Sequence, residues 1–378
     1  MKKICGVILS LLVLLPNIVF AENELASSAS SVIVMEPTTG KIIYERNMNE
    51  RRHPASMTKV MTMLLVVEAI EDGIIKWDDM VTVSLNASSM GGSQILLETN
   101  EQMSVEDMFK GVAVASGNDA AVALAEKIAG SVEMFVDMMN KRAVELGLKD
   151  TNFKNPHGLD DANHYSSAYD MAIMSTELVK HPKVLEFTSI YEDYLRKDTD
   201  RSFWLVNTNR LVRFYDGVDG LKTGYTAEAG FCISATANID DMRVIAVVMG
   251  EPNSDTRNKE VSEIFDYVYA QYDLTNVIDK NMILEEVVVD LGKSKKIGIV
   301  AKENVADLYK KSEGANDIEY DVEISNVKAP ITKGEVVGKL TLKENGVISK
   351  VIDLTVVEDV EKANIVELFF RYIKEVLG

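Results

Sequence analysis

Cysteine, histidine and proline are scarce in this sequence: two, four and seven residues out of 378. The four histidines stand at positions 53, 157, 164 and 181, and no H-E-x-x-H spacing occurs among them, which argues against a zinc peptidase. There is no G-x-S-x-G, which argues against an α/β-hydrolase. Basic residues are also few, 40 Lys and Arg against 59 Asp and Glu, for a net charge of −19. A chain so acidic offers no basic surface for nucleic acid, and its acidity reads as a solvated surface. Internal repeats and low-complexity linkers are absent as well.

What is present begins with a leader. Lys2 and Lys3 precede an apolar run from Ile4 to Phe20 that ends in "VFA", the pattern of a secretory signal cleaved after Ala21. The run is slightly short for a retained membrane span. Cys5 lies too early to be a lipoprotein cysteine. Cleavage would remove both lysines and no acid, taking the charge from −19 to −21. It would also leave Cys232 as the single thiol, so no internal disulfide is expected and stability must come from core burial. Cys232 sits in "GFCISATA", an alternating strand-like run, and reads as a small core residue rather than a nucleophile.

The stretch "HPASMTKVMTMLLVVEAIEDG" (53–73) has helical apolar spacing, with Pro54 suited to the start and Gly73 to the stop. Ser56 and Lys59 stand three apart in its first turns, on one face. A helix mouth favours developing negative charge, and a desolvated lysine gives up its proton more readily than one in water. The pair therefore reads as a serine nucleophile with a lysine base. By itself an S-x-x-K is weak, and Ser325–Lys328 supplies a second one. "ASGND" (115–119) gives the S-x-N of Ser116 and Asn118. "GLKTGYT" (220–226) gives Lys222-Thr223-Gly224, which occurs once, before a strand. The ordered set S-x-x-K, S-x-N, K-T-G is the set of penicillin-binding proteins and class A β-lactamases.

Along the chain, residues 31–46 read as two strands joined by a Pro/Gly turn. A helical block follows, in which Ser104 and Asp107 form a capping-box pattern before "SVEDMFKGVAVASGNDAAVALAEKIAG". "GFCISATANID" and "MRVIAVVMG" read as neighbouring strands, and "NKEVSEIFDYVYAQY" as helix. Around 273–282 the texture turns β-rich. Residues 280–357 read as a small, mostly antiparallel domain with a hairpin at Asn345-Gly346. The last stretch gathers Ile365, Leu368, Phe369, Tyr372, Ile373 and Val376 on one helical face. Such a helix either packs on its own domain or lies in a membrane interface.

Residues 25–275 resemble the low-molecular-mass penicillin-binding proteins of the D-alanyl-D-alanine carboxypeptidase type. The resemblance rests on "PASMTKVMT", "GGSQILLETNEQMSVEDMFKGVAVASGNDAAVALAEKIAG", "NPHGLDDANHYSSAYDMA", "DGLKTGYTAEAGF" and "MRVIAVVMG". It implies an α+β fold: a serine β-lactamase/transpeptidase-like domain, an antiparallel sheet flanked by a helical block, over 22–275. A small β-sandwich-like domain over 280–357 and an anchoring amphipathic helix over 358–378 would follow the catalytic part.

The resemblance implies a serine peptidase without metal or cofactor that removes the terminal D-Ala of peptidoglycan stem peptides. It would be inhibited by β-lactams and would work outside the cytoplasmic membrane, on its surface. Ser56 would be acylated and Lys59 would take its proton. Ser116 and Asn118 would complete the relay and hold the substrate amide. Lys222 and Thr223, with Gly224, would bind the carboxylate side. The backbone N–H groups of Ser56 and Tyr225 would form the oxyanion hole, and Arg243 would add positive charge. Some family members carry an arginine before K-T-G where this chain reads "NTNRL", with Arg210 offset. The alternatives are a serine β-lactamase, against which stands the lack of an E-x-x-L-N signature, and a weakly catalytic peptidoglycan-binding protein, against which stands the intact motif set.

Overall fold

The computed structural model describes residues 24–377, so the leader expected at 1–21 lies outside the described residues. The first hairpin forms as its turn residues dictate: β1 (Ser31–Met35) and β2 (Ile42–Arg46) pair antiparallel. The chain then makes a short 3-10 turn, Ala55–Thr58, and enters α1 (Lys59–Glu71), which Gly73 ends in the left-handed region. Around α1 gather β3 (Met80–Thr82), α2 (Leu85–Ser88), β4 (Gln102–Ser104), α3 (Val105–Ala115), α4 (Asn118–Ala129) and α5 (Val132–Glu145). The block closes with α6 (Ala168–Leu178) and α7 (Pro182–Thr188). The Ser104 hydroxyl accepts from the Asp107 N–H at 3.1 Å, so α3 is capped as its sequence suggests.

A two-stranded hairpin of β5 (Glu192–Leu195) and β6 (Phe203–Val206) leads through α8 (Leu211–Phe214) into the main sheet. There β7 (Val218–Thr226), β8 (Gly230–Ile239) and β9 (Met242–Glu251) join the first hairpin in the order β2-β1-β9-β8-β7, all neighbours antiparallel. The central strands read as unbroken apolar runs because both faces are covered. Ile245, Val247 and Met249 face the helical block, whereas Val244, Ala246 and Val248 face α9 (Ser254–Gln271). Cys232 is fully buried on the block side, as a core residue should be. The catalytic motifs are thereby set between a three-layer core and its edge strand, β7.

The β-rich region starts earlier than its composition suggests. β10 (Tyr272–Ile278) follows α9 directly and pairs with β13 (Val305–Lys310). The second sheet holds β11 (Glu285–Val288), β12 (Lys296–Ala301), β14 (Ile318–Ile324), β15 (Val336–Glu344) and β16 (Val347–Val356), in the order β11-β12-β16-β15-β14. Asn345 and Gly346 both take positive φ, 52° and 79°, at the expected hairpin between β15 and β16. The Lys41 ammonium, in the turn of the first hairpin, donates to Glu344 at 2.7 Å and so ties the two sheets together. The last helix, α10 (Ile365–Leu377), opens with a reciprocal cap: Asn364 accepts from Val366 and Glu367, and Glu367 accepts from Asn364. Arg371 donates to the carbonyls of Gly292 and Lys293, while Ile365, Phe369 and Tyr372 remain exposed. Among the described residues no helix is long and apolar enough to cross a membrane.

Candidate active site

The site is assembled on the 3-10 turn before α1. Ser56 lies in that turn and Lys59 begins the helix, so the two side chains meet with Nζ 3.1 Å from Oγ. Lys59 is fully buried. Its other partners are Asn118 Oδ1 at 2.6 Å and the His157 carbonyl at 2.7 Å, and no carboxylate among the described residues bonds to it. Burial first, then the Lys222 charge, push its pKa well below the lysine range, against a smaller opposing pull from Asp119. As an ammonium, Lys59 donates to all three neighbours. As a free amine, its two N–H groups go to Asn118 and His157, whose oxygens can only accept, and the lone pair is left facing the Ser56 hydroxyl.

Ser116 and Asn118 arrive by a break that the helical texture of 104–130 conceals. α3 ends at Ser116, which takes the left-handed conformation (φ 62°, ψ 31°), and α4 starts at Asn118. The Ser116 hydroxyl is buried with no hydrogen-bond partner among the described residues and lines the same cavity as Ser56. The Asn118 amide is pinned at both ends, since its Nδ2 donates to Gly91 O at 2.7 Å. Behind it, the buried Asp119 carboxylate accepts from the backbone of Ile95 and Leu97 and fixes the loop on the far side of the cavity.

K-T-G lies on the edge strand β7. Gly224 is required there: a Cβ would come within 3.0 Å of the Ser56 nitrogen and 2.9 Å of the Pro54 oxygen. Lys222 is buried beside the site, donates to the Thr223 carbonyl at 2.9 Å, and is pushed down to about 7 by burial and by Arg257. The Thr223 hydroxyl bonds to Thr208, which joins β7 to the loop before α8. The Tyr225 ring is 58% exposed and stacks on Phe231 at 4.2 Å.

Arg243 is not brought to this cavity. It lies on β9 opposite Asn238, at the other end of the sheet, with both guanidinium nitrogens on Asp219 at 2.8 Å. A strand arginine with a carboxylate across from it makes an ion pair, and this one does. The cations that do line the cavity with Ser56 are Arg210 and Arg257. Arg257 is on the first turns of α9, within "NSDTRNKE", a stretch whose polar composition gives no hint of a site. α9 begins at Ser254, one turn before the expected run at 258, with Asn253 accepting from the Thr256 N–H at 2.8 Å.

His157 and His164 are structural. Lys154 donates its N–H to His164 Nδ1 at 3.0 Å, so Nε2 carries the proton and donates to Thr58 at 2.7 Å. Burial holds His164 at about 4. Burial and then Lys59 hold His157 at about 3. No group of three His, Cys, Asp or Glu side chains among the described residues is disposed to hold a metal.

A serine held against a buried lysine that has no carboxylate hydrogen-bond partner, with S-x-N and K-T-G beside it, is the arrangement of the active-site serine enzymes of the penicillin-binding class. Comparison with known proteins narrows the class. The chain belongs to the D-alanyl-D-alanine carboxypeptidase family, which residues 18–253 match, and residues 272–362 match the C-terminal domain of penicillin-binding protein 5. It is 49% identical over 357 residues to D-alanyl-D-alanine carboxypeptidase DacF of Bacillus subtilis, covering 94% of this chain and 91% of that one. Penicillin-binding protein 5 of Haemophilus influenzae has the same fold, with a TM-score of 0.70, 35% identity, and coverage of 89% and 98%. Penicillin-binding protein D2 of Listeria monocytogenes, solved in an ampicillin-bound form, matches 63% of this chain and 96% of its own at 32% identity and a TM-score of 0.57.

The 155–159 loop seats on the 3-10 turn that carries Ser56 through Gly158, whose φ is +90° and whose Cβ would overlap the Ala55 carbonyl. Gly158→Ala is therefore expected to lower the free energy of unfolding by more than about 3 kcal/mol, read by denaturant titration. An unfolding midpoint equal to wild type would show that the loop is not clamped in this way.

Proposed function

We propose that Ser56 is the nucleophile of a serine D-Ala-D-Ala carboxypeptidase acting on peptidoglycan stem peptides. The observation that carries this reading is the Lys59 amine, buried without a carboxylate 3.1 Å from Ser56 Oγ. Ser56 Oγ attacks the carbonyl carbon of the penultimate D-Ala and passes its proton to Lys59. The oxyanion sits on the backbone N–H groups of Ser56 and Tyr225. The first belongs to a helix start, where N–H groups lack internal acceptors, and the second to an edge strand. The unpartnered Ser116 hydroxyl carries a proton to the departing amine, and the D-Ala leaves. Water then cleaves the Ser56 ester. Asn118 holds the Lys59 amine in line. Lys222, Thr223 and Arg257 take the terminal carboxylate. Arg243, in its ion pair with Asp219, has a structural role instead. A β-lactam would acylate the same serine, and the ampicillin-bound Listeria relative supports this.

The leader pattern and the family's substrate support an exported protein. The exposed apolar residues of α10, including Ile365, Phe369 and Tyr372, support a helix lying on a membrane surface. Val360 and Ala363 are buried against the β-rich region, so a chain ending at Asn364 keeps that packing. Such a chain is expected to leave vesicles of anionic and zwitterionic lipid in a sedimentation assay while its D-Ala release persists. Equal sedimentation with and without α10 would refute the anchoring role.

The central experiment is D-Ala release from a peptide ending in Lys-D-Ala-D-Ala, with penicillin labelling followed by intact mass. Ser56→Ala is expected to reduce release by about 10⁴-fold or more and to form no adduct. A folded Ser56→Ala protein that still forms the adduct would exclude Ser56.

The pH profile follows from two lysines with opposite requirements. Lys59 must be a free amine, so kcat/KM rises with pH as it loses its proton. Lys222 must be an ammonium, so kcat/KM falls above about 7. In kcat the falling limb should move to higher pH, because a bound carboxylate stabilises the Lys222 ammonium. A falling limb at the same pH in both parameters would remove Lys222 from carboxylate binding.

A further inference from the structure

The cavity that opens from Ser56 has a volume of about 440 Å³ and extends along Val206–Arg210 and Ser254–Asn258, beyond the K-T-G strand. This is the side on which the leaving residue must sit, because the carboxylate-binding groups are there. This volume is shared with the reacting centre, since Ser56, Ser116 and Thr223 line it too, and it is in the range that takes a ligand of many heavy atoms. No Asp or Glu lines it, yet it holds two guanidinium groups. Arg257 donates to Asn258 Oδ1 and to the Cys232 carbonyl, both uncharged. The exposed Arg210 side chain has no hydrogen bond or ion pair among the described residues, while its carbonyl accepts from Arg213 and Phe214. It is close enough to Arg257 for the two charges to repel.

The backbone that carries Arg210 is nonetheless held firmly. The buried Asn207 amide donates to the carbonyls of Thr188 and Ile190, and its Oδ1 accepts from the Asn209 N–H. The buried Asn209 donates to the Gly220 carbonyl and accepts from the Leu211 N–H. Two buried asparagines thus fix the residues on both sides of Arg210 and leave only its side chain free, over the cavity. In the proposed reaction Lys222 and Arg257 already take the terminal carboxylate, and the Arg210 guanidinium is left over.

We infer that Arg210 selects the leaving residue by binding a second anion, the side-chain carboxylate of an acidic C-terminal D-amino acid. The inference rests on the carboxypeptidase reading of the site. The chemistry is unchanged. The ester to Ser56 forms as the amide bond to the terminal residue breaks, the amine takes the proton, and the acidic residue departs as a free amino acid.

The test uses the full enzyme and two peptides, one ending in D-Ala-D-Ala and one in D-Ala-D-Glu, and reads the ratio of their kcat/KM values. Arg210→Gln is expected to lower the ratio (D-Glu over D-Ala) at least tenfold, through KM, and Arg210→Lys to restore most of it. Because it is a ratio, a general loss of folded enzyme cancels. A ratio unchanged in Arg210→Gln, or a wild type with no detectable turnover of the D-Glu peptide, overturns the inference. A wild type that also fails on the D-Ala peptide overturns the carboxypeptidase reading beneath it instead.

Discussion

The buried Lys59 amine organises the whole active site. An ammonium without a carboxylate partner is costly to bury, so the fold surrounds it with neutral oxygens, Asn118 Oδ1 and the His157 carbonyl. Each of those oxygens needs its own support. Asn118 stands where α3 breaks into α4, and His157 lies in the loop that Gly158 seats on the turn carrying Ser56. The three-layer core then holds these segments at fixed distances. The same burial that makes the Lys59 ammonium costly favours the free amine, the form the proposed reaction needs as its base.

Two lysines in one site divide the work by their surroundings. Lys59 and Lys222 are both buried, and the Lys222 charge lowers the pKa of Lys59. Lys222 lies on β7 beside the cavity wall that carries Arg257, and a substrate carboxylate would compensate it. Lys59 lies inside, hydrogen-bonded to neutral oxygens, with the Asp119 carboxylate acting on it at longer range. The two lysines therefore differ in what surrounds them, Lys59 among neutral oxygens and Lys222 beside Arg257.

Much of this was legible in the sequence, and the failures have physical reasons. The three-residue spacing of Ser56 and Lys59 put them on one face, and the Asn345-Gly346 hairpin followed from residues that accept positive φ. The break at Ser116 was hidden because a serine gives no sign that it will turn left-handed within an otherwise helical run. Strand spacing likewise does not say at which end of a sheet a residue will lie, so Arg243 was drawn to the site by its neighbours in sequence. Arg257 was invisible because its role comes from the packing of α9 against β8. The β-rich region began early because the pairing of β10 with β13, not composition, sets its limit.

The edge strand β7 carries one more consequence. Its early carbonyls are already engaged: Thr188 donates to that of Asp219, and Asn209 to that of Gly220. The Lys222 side chain donates to the Thr223 carbonyl as well, so few main-chain groups of β7 remain for an added strand. A peptide that joins the sheet there can pair over only a few residues before it meets the wall at Gly220. The geometry works as a length gauge. Under the proposed reaction such an edge would suit the end of a chain better than its middle, and it offers a neighbouring copy of the protein only a short edge to pair with.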